Sequence, residues 1–345
     1  MKKINNLKIV EKFKYFAPIS LALILAGLIV ILTLGMNIGI DFAGGAIVKV
    51  DLGATLSQDS TAKNEVKELV FKEIENNGFE VSSDRWSGDD GTVLEVGLSL
   101  KLDGKKIDLS NTDDLAIFNE RIQGSTTDEG NSEGLEELIN KAIENYNQSI
   151  ELDENWFQYD FVGASAQKLL KNALWATAVA VVVMLIYIVI RFTLSSALSA
   201  VICLMHDVLV MIALTAIFNI QVNTTFIAAI ITIIGYSINA TIVIFDRVRE
   251  VKSLDSMKGK SLNEIANKSI KDTLGRTILT TITTLAVIVI LSIVCSVMGV
   301  STMEEFALPI MFGLIAGTYS SVLLASPTWV YLNKLGAKIK KTKKA

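Results

Sequence analysis

Six long apolar runs constrain this chain more than any other feature of its sequence. Each run holds about 20 mostly apolar residues, the length that an α-helix needs to cross the hydrocarbon core of a bilayer. Since 51% of the 345 residues are hydrophobic, the runs cannot all be hidden in one globular core. The predicted membrane spans are 16–36, 173–192, 197–218, 224–245, 277–298 and 306–332.

Charge is distributed unevenly along the chain, and this distribution predicts the orientation. Residues 37–165 carry 27 acidic and 10 basic side chains, whereas the rest of the chain carries 9 acidic and 22 basic ones. Lysines are concentrated before the first span and after the last. The positive-inside rule therefore places both termini in the cytoplasm and the acidic segment outside.

These patterns predict a membrane all-α bundle of six transmembrane helices, with an extracytoplasmic α+β domain between helices 1 and 2. Residues 1–36 form the basic N-terminus and helix 1, and residues 37–165 form the soluble domain. Residues 166–332 carry helices 2–6, and residues 333–345 form a basic cytoplasmic tail. We expect a multi-pass protein of the bacterial cytoplasmic membrane.

The soluble segment has the periodicity of a ferredoxin-like domain. Alternating apolar residues predict strands at 46–52, 79–83, 92–100 and 156–162, and helical spacing predicts helices around 66–74 and 135–146. Strand, helix, strand, strand, helix, strand is the order of the split βαβ motif. The polar segment 101–132 is expected to be a surface insertion.

Several motifs then give a more specific indication. The segment GIDFAGG follows the first span, FVG precedes the second, and YIVIRF ends it; His206-Asp207 lies in the third span and IGYSINATIVIFDRVR in the fourth. Gly317-Thr318-Tyr319-Ser320-Ser321 and Ala325-Ser326 lie in the sixth. In this order the motifs resemble the SecF family of protein-export membrane proteins, within the resistance-nodulation-division superfamily. The likeness covers about residues 15–332.

The resemblance implies a function and a set of partners. It implies an auxiliary subunit of the Sec protein translocase that pairs with SecD, sits beside the SecYEG channel in the lipid bilayer and uses an ion gradient to promote export of unfolded polypeptides. Two other functions remain open: half of a small-molecule or lipid exporter of the same superfamily, and a translocon scaffold without ion coupling. Neither a cofactor nor a nucleic-acid partner is expected.

Asp207 and His206 are candidate polar or relay residues inside the membrane. A carboxylate near the midplane must face protein, because its exposure to lipid costs about 2.5–3.5 kcal/mol. Asp207 is therefore either part of a relay or a buried anchor between helices, and a structural role is favoured for His206. Since successive helix residues point about 100° apart, we expect the two side chains to lie on different faces.

The fourth and fifth spans contribute further candidates. Asn239 belongs to a group of polar side chains in otherwise apolar helices, which are typical of helix-to-helix contacts. The family pattern has an Asp, its candidate proton carrier, where this chain has Ala240. Arg276 matches the family's arginine and is expected either to pair with another carboxylate, Asp272 or one from SecD, or to rise no further than the membrane interface. Ion coupling then runs through SecD or other polar groups, or it is lost.

Two more groups of residues are singled out. Asp246, Arg247 and Arg249 form either a charged cluster at the membrane interface or a specific contact with SecD or the channel. Gly39, Asp41, Gly44 and Gly45 form the family signature outside helix 1, where a tight junction is expected; without a following Lys-Ser/Thr, this is no phosphate loop.

The sequence does not favour an enzyme. Its single His and two cysteines in membrane spans offer no zinc-binding spacing and no Ser-His-Asp set. A metal site is therefore not expected.

The predicted topology can be tested with a reporter that is active only outside the cytoplasm. Fusions near Gly130 and Ser301 should be active, whereas fusions near Gly259 and after Ala345 should be silent, because basic loops stay inside. Reporter activity in colonies measures this directly. The reverse pattern would contradict the six-span orientation.

Overall fold

The computed structural model describes residues 8–39, 42, 44–53, 60–87, 92–107, 111–127, 130–146, 152, 155–162, 164–297 and 301–342. The helices within these ranges are α1 (Phe13–Leu34), α2 (Ser60–Asn76), α3 (Thr112–Gln123), α4 (Leu135–Tyr146), α5 (Ala164–Arg191), α6 (Leu194–Ile217), α7 (Thr224–Ser253), α8 (Leu262–Val297), α9 (Ser301–Ser320) and α10 (Ser326–Thr342). The strands are β1 (Gly45–Asp51), β2 (Phe79–Ser87), β3 (Val93–Leu102), β4 (Lys105–Lys106), β5 (Ser125–Thr127), β6 (Gly130–Ser132) and β7 (Phe157–Val162).

Six helical segments in the described ranges are long and apolar enough to cross a membrane. They are α1, α5, α6, α7, α8 and a sixth segment, Glu305–Lys338, that runs from α9 into α10. The soluble α+β domain lies between the first and second of them. The prediction of a six-span bundle carrying an α+β domain is therefore confirmed. Below, the end of the bundle next to this domain is called the near end, and the opposite end the far end.

The soluble domain has the predicted split βαβ topology. Its sheet has the strand order β2-β3-β1-β7, and neighbouring strands are antiparallel, so β1 lies between the third and the last main strand. Val48 pairs with Val96 on one side and with Tyr159 on the other. The apolar residues of this face are buried against α2, α3 and α4 and form the domain core.

The expectation that residues 101–132 form only a surface insertion is wrong. Helix α3 lies in this segment, and Phe118 and Ile122 are completely buried. The ring of Phe118 packs edge-on against Phe79 and Phe161, with centroid distances of 5.0 and 5.6 Å. Polar residues dominate the segment, but apolar residues spaced four apart are enough to attach a helix to the core.

The helices of the fourth and fifth spans extend far beyond their predicted limits. Residues 246–276, which lie between the predicted fourth and fifth spans, are largely helical, because α7 continues to Ser253 and α8 begins at Leu262. Charged side chains end an apolar run without ending a helix. The sixth span is not one continuous helix, since a π-helical turn, Ser321–Ala325, separates α9 from α10.

The helices of the bundle are buried to different extents. Half of the apolar stretch of α6 is buried, compared with only 6% for α5 and for α8. Helices α6, α7, α9 and α10 therefore form the centre, and α5 and α8 lie at its periphery. Close approach of helices at the centre depends on small residues: a Cβ added at Gly313 would lie 2.4 Å from Ile233.

The second face of the sheet carries a partly buried ion pair. Arg85 Nε donates to Glu95 Oε2 at 2.5 Å, Ser87 Oγ donates to Oε1 at 2.9 Å, and Lys49 Nζ lies 3.6 Å from Oε1. Burial by itself would raise the pKa of Glu95, but the positive charge and hydrogen bond of Arg85, together with Ser87 and Lys49, hold this pKa below its usual value. The carboxylate therefore stabilises the folded domain in its ionised form.

Replacement of this carboxylate should destabilise the soluble domain in a pH-dependent way. Because the pKa of Glu95 is lowered on folding, its contribution is present above the unfolded-state pKa and is lost as pH falls through the folded-state pKa. We expect Glu95→Gln to lower the free energy of unfolding by about 1.5–3 kcal/mol at pH 7, the scale of a hydrogen bond to a charged group, and by much less in acid. Urea unfolding followed by tryptophan fluorescence measures this difference.

The matched control is Glu80→Gln, which removes an exposed ion pair with Lys101 on the same sheet. It should leave the unfolding midpoint unchanged. Equal effects of the two substitutions, or an effect of Glu95→Gln that does not vary with pH, would contradict the conclusion that ionised Glu95 stabilises the folded domain.

Candidate functional site

The Asp207 carboxylate lies at the centre of the bundle, on α6, and is completely buried. Its Oδ2 accepts a hydrogen bond from Ser237 of α7 and another, at 2.8 Å, from Ser320 at the end of α9. Buried charge is tolerated only when its hydrogen-bonding capacity is met. One side chain therefore connects three membrane helices.

His206 contacts the same carboxylate, contrary to expectation. Its Nδ1 lies 2.9 Å from Asp207 Oδ1, although the two residues are adjacent in the helix. The side chains turn towards each other along the helix surface, so the angle between successive residues does not keep them apart. The imidazole also stacks on Tyr319 at a centroid distance of 6.1 Å, and the Tyr319 hydroxyl donates to the Phe16 carbonyl of α1 at 2.6 Å.

Hydroxyl groups extend this polar layer around the π-helical turn. Ser199 Oγ of α6 donates to the Ala325 carbonyl at 2.6 Å, and the hydroxyls of Thr241 and Ser321 lie 3.2 Å apart. The involvement of Ser199 and the π-helical turn was not foreseen from the sequence. The concentration of serines at 320, 321 and 326 in an apolar span was the available signal.

A second chain of hydroxyls links α7, α8 and α9. Tyr236 donates to Thr281 Oγ1 at 2.9 Å, and Thr281 lies 2.7 Å from the hydroxyl of Thr318. Such contacts hold membrane helices together with modest energies, about 0.6 kcal/mol on average. This geometry agrees with a packing role for the polar side chains of the fourth and fifth spans.

Asn239, Ala240 and Arg276 line one cleft between α7 and α8. The cleft has a volume of about 70 Å³, and Tyr236 and Thr280 also line it. Asn239 and Arg276 are exposed on the surface of the bundle. The structure thus brings together the two candidate polar residues and the position where the family pattern has a carboxylate.

Arg276 makes no ion pair within the described part of the chain, and the expectation that it pairs with Asp272 is wrong. Asp272 Oδ2 instead accepts from Arg247 Nη2 at 2.6 Å and lies 3.9 Å from Lys268 Nζ. Residues 272 and 276 are one helical turn apart, but Asp272 faces the far end of α7, where Arg247 is closer. The other expected source of a carboxylate, SecD, is not part of this chain.

The charged cluster at the far end of α7 divides into separate contacts. Arg247 bridges to Asp272 of α8, and its Nη1 also lies 2.6 Å from Glu250. Asp246 points the other way, with Oδ1 3.7 Å from Arg191 Nη2 at the end of α5. Arg249 is exposed. Two of the three residues therefore connect α7 to neighbouring helices.

The signature glycines lie at a tight junction between the bundle and the soluble domain. Gly39 N–H donates to the Val222 carbonyl at 2.8 Å, and a Cβ at position 39 would lie 3.0 Å from Gln221 Nε2. Gly44 has a φ of +73°, which favours glycine, and Gly45 begins β1. Asp41 lies outside the described residues.

The described residues do not suggest metal chemistry. No group of three or more His, Cys, Asp or Glu side chains among them could hold a metal ion. The arrangement around Asp207 can anchor helices or exchange a proton with His206, and the cleft at Arg276 can accept a carboxylate.

Comparison with known protein families gives one extensive match. The family model described as "Protein export membrane protein SecD/SecF, C-terminal" matches residues 141–335. This range includes the last part of the soluble domain and the whole of spans two to five, together with most of the sixth.

Individual relatives extend the similarity to the N-terminal part. The chain is 34% identical over 330 residues to the protein translocase subunit SecF of Sebaldella termitidis, a match that covers 95% of this chain and 92% of that protein. It is 30% identical over 321 residues to the protein translocase subunit SecDF of Bacillus subtilis, covering 93% of this chain and 37% of the relative.

A solved structure has the same fold. The crystal structure of SecDF from Thermus thermophilus, described as a translocon-associated membrane protein, matches with a TM-score of 0.67 and 24% identity. The match covers 96% of this chain and 39% of that one. The likeness therefore spans the soluble domain and the membrane helices alike.

Removal of the Asp207 carboxylate should destabilise the bundle, whereas removal of its charge alone should not. Asp207→Ala leaves Ser237, Ser320 and His206 without their shared acceptor, and we expect the free energy of unfolding to fall by about 1–3 kcal/mol. Asp207→Asn can keep its amide oxygen towards both serines. Unfolding in mixed detergent micelles, followed by circular dichroism, measures both variants; equal stability of Asp207→Ala and the wild type would contradict an anchoring role.

Proposed function

Because the chain belongs to the SecD/SecF family of protein-export membrane proteins, we propose that it is the SecF-type auxiliary subunit of the Sec protein translocase. It pairs with SecD in a bacterial cytoplasmic membrane, with both termini in the cytoplasm. Beside the SecYEG channel, it helps unfolded polypeptides leave on the outer side with the energy of an ion gradient. Similarity over almost the full length of a SecF subunit carries this proposal.

Pairing with SecD is supported by the surface that α7 and α8 present to the membrane. Asn239, Arg276 and Thr280 are exposed there, although each lies in a membrane span and borders the same cleft. An arginine exposed to lipid at this depth is unfavourable by several kcal/mol. A second membrane protein that covers the cleft and supplies a carboxylate removes this cost.

The fused relative supports the same partner. In Bacillus subtilis SecDF, the matched region makes up 37% of a longer chain, so the remainder of that protein lies on the same polypeptide. In our proposal, SecD is a separate subunit that takes the place of the part of the fused SecDF chain outside the matched region.

Ala240 determines how the two subunits share ion coupling in this proposal. Its methyl group lies in the same cleft as Arg276, so this chain provides the cation but no carboxylate at that position. A proton that binds there must therefore bind to SecD. The same methyl group favours a second candidate function, a scaffold that stabilises the translocase without ion coupling.

Loss of the Arg276 charge should weaken the pairing. We expect Arg276→Gln to reduce the amount of SecD that co-purifies in mild detergent by about tenfold, because an ion pair shielded from water loses one partner. Quantitative immunoblotting of SecD against the tagged subunit measures the ratio. The matched control, Lys252→Gln, removes an exposed cation from the far end of α7 and should leave the ratio unchanged.

Two outcomes would count against the proposal. Absence of SecD from the wild-type preparation would remove the subunit assignment itself. Retention of SecD by Arg276→Gln at the wild-type level would place the contact elsewhere. Export is then measured with and without an uncoupler, in cells that contain this subunit and in cells that lack it. A coupled subunit makes export more sensitive to the uncoupler. A scaffold leaves the uncoupler sensitivity equal in the two kinds of cell.

A further inference from the structure

The sixth span contains a π-helical turn near its middle, at Ser321–Ala325. The residues on either side, Ser320 and Ser326, have ordinary right-handed helical angles, so the irregularity is confined to this turn. A π turn accommodates one residue more than an α-helix of the same length. Such turns are rare inside α-helices and are found mostly at functional sites.

Helix α6 contacts the backbone of this turn. Ser199 Oγ of α6 donates to the Ala325 carbonyl at 2.6 Å, and Cys203 Sγ lies 4.0 Å from the Ser320 carbonyl. Both side chains are completely buried. The carbonyl groups at the two ends of the turn thus find partners on α6, which replaces part of the regular helical hydrogen bonding.

The near half of the span is fixed by close packing. A Cβ on Gly317 would lie 3.3 Å from Ser237 Cβ, and one on Gly313 would overlap Ile233. Ser320, the last residue of α9, is bound to the buried Asp207 carboxylate. Helix α9 therefore cannot slide or rotate against α7 without a clash or the loss of this hydrogen bond.

The far half is held differently. Helix α10 contacts the bundle through larger side chains such as Trp329 and Val330, which are buried, whereas Tyr331 is 64% exposed. Two buried polar atoms next to the turn, Ser326 Oγ and His206 Nε2, have no hydrogen-bond partner within the described part of the chain. Buried polar groups are rarely left unpaired, so the polar layer beside the turn is less completely hydrogen-bonded than the contacts of Asp207 with Ser237 and Ser320.

We propose that the π-helical turn is a hinge about which α10 moves as a unit while α9 stays fixed, and that Ser199 and Asp207 are the positioning residues that hold the arrangement described above. Asp207 fixes the near side of the hinge through Ser320. Ser199 fixes the far side through the Ala325 carbonyl, and its hydrogen bond is the contact that breaks when α10 moves.

The hinge can be tested by measuring distances between spin labels in the full-length protein in lipid nanodiscs. A far pair, Leu194→Cys with Tyr331→Cys, reports on α10 against the start of α6. A near pair, Leu32→Cys with Ile315→Cys, reports on α9 against α1. All four positions are exposed; Cys295→Ser removes the more accessible native thiol, and the buried Cys203 is retained.

We expect two distance populations for the far pair and one for the near pair. Deletion of Leu323, which is only partly buried, turns the π turn into a continuous α-helix without changing the faces of α9 and α10, so the far pair should then give one population. Ser199→Ala should change the ratio of the two populations by about fivefold, the effect of one net hydrogen bond.

Thr215→Ala is the matched control for Ser199→Ala. Thr215 is equally buried in α6, but its hydroxyl donates to the Met211 carbonyl of its own helix and does not reach the turn. It should leave both distributions unchanged. A far-pair distribution as narrow as that of the near pair, or equal responses to Ser199→Ala and Thr215→Ala, would overturn the hinge. Both results are obtained without the Leu323 deletion, so the test holds even if that variant does not fold.

Discussion

The buried carboxylate of Asp207 is the constraint on which the centre of this bundle depends. A carboxyl group in the middle of a membrane protein requires hydrogen-bond partners among its neighbours, and these are Ser237 and Ser320 on two other helices. Both helices must then approach α6 closely. Gly317 of α9 permits close approach to α7, because an added Cβ there would lie only 3.3 Å from Ser237 Cβ.

The polar layer around Asp207 separates two apolar regions. Towards the near end, residues such as Met211, Ile233 and Leu314 form one buried cluster; towards the far end, Phe245 and Trp329 belong to another. Apolar packing inside a membrane gives little preference for one helix arrangement over another, since lipid tails are equally apolar. The hydrogen bonds of the layer therefore specify which helices are adjacent.

The same physical argument explains why the periphery is suited to a partner. Helix α8 is mostly exposed, and its Arg276 borders a cleft without a carboxylate partner among the residues that the structure describes. In a SecF-type subunit, a cation exposed within a membrane span is consistent with a surface that a second subunit covers. In the proposed pairing with SecD, the carboxylate that Ala240 does not provide belongs to the other subunit.

Sequence patterns were sufficient for the features that depend on local composition. The six spans followed from length and hydropathy, and the split βαβ order followed from periodicity, because membrane thickness and strand alternation act on each segment separately. Helix α3 was missed because its segment is polar overall, and only the sheet to which Phe118 attaches shows that this residue is buried.

The sequence by itself determined that Asp207 had to be buried and that position 240 lacked a carboxylate. It did not determine the partners of any polar side chain. The hydrogen bonds of Asp207 with Ser237 and Ser320, the pairing of Asp272 with Arg247, and the hydrogen bond from Ser199 to the Ala325 carbonyl all join groups on different helical segments, whose separation is set by how those segments cross. Only the tertiary structure decided these contacts, because helix crossing is the sum of many weak packing interactions that no single segment encodes.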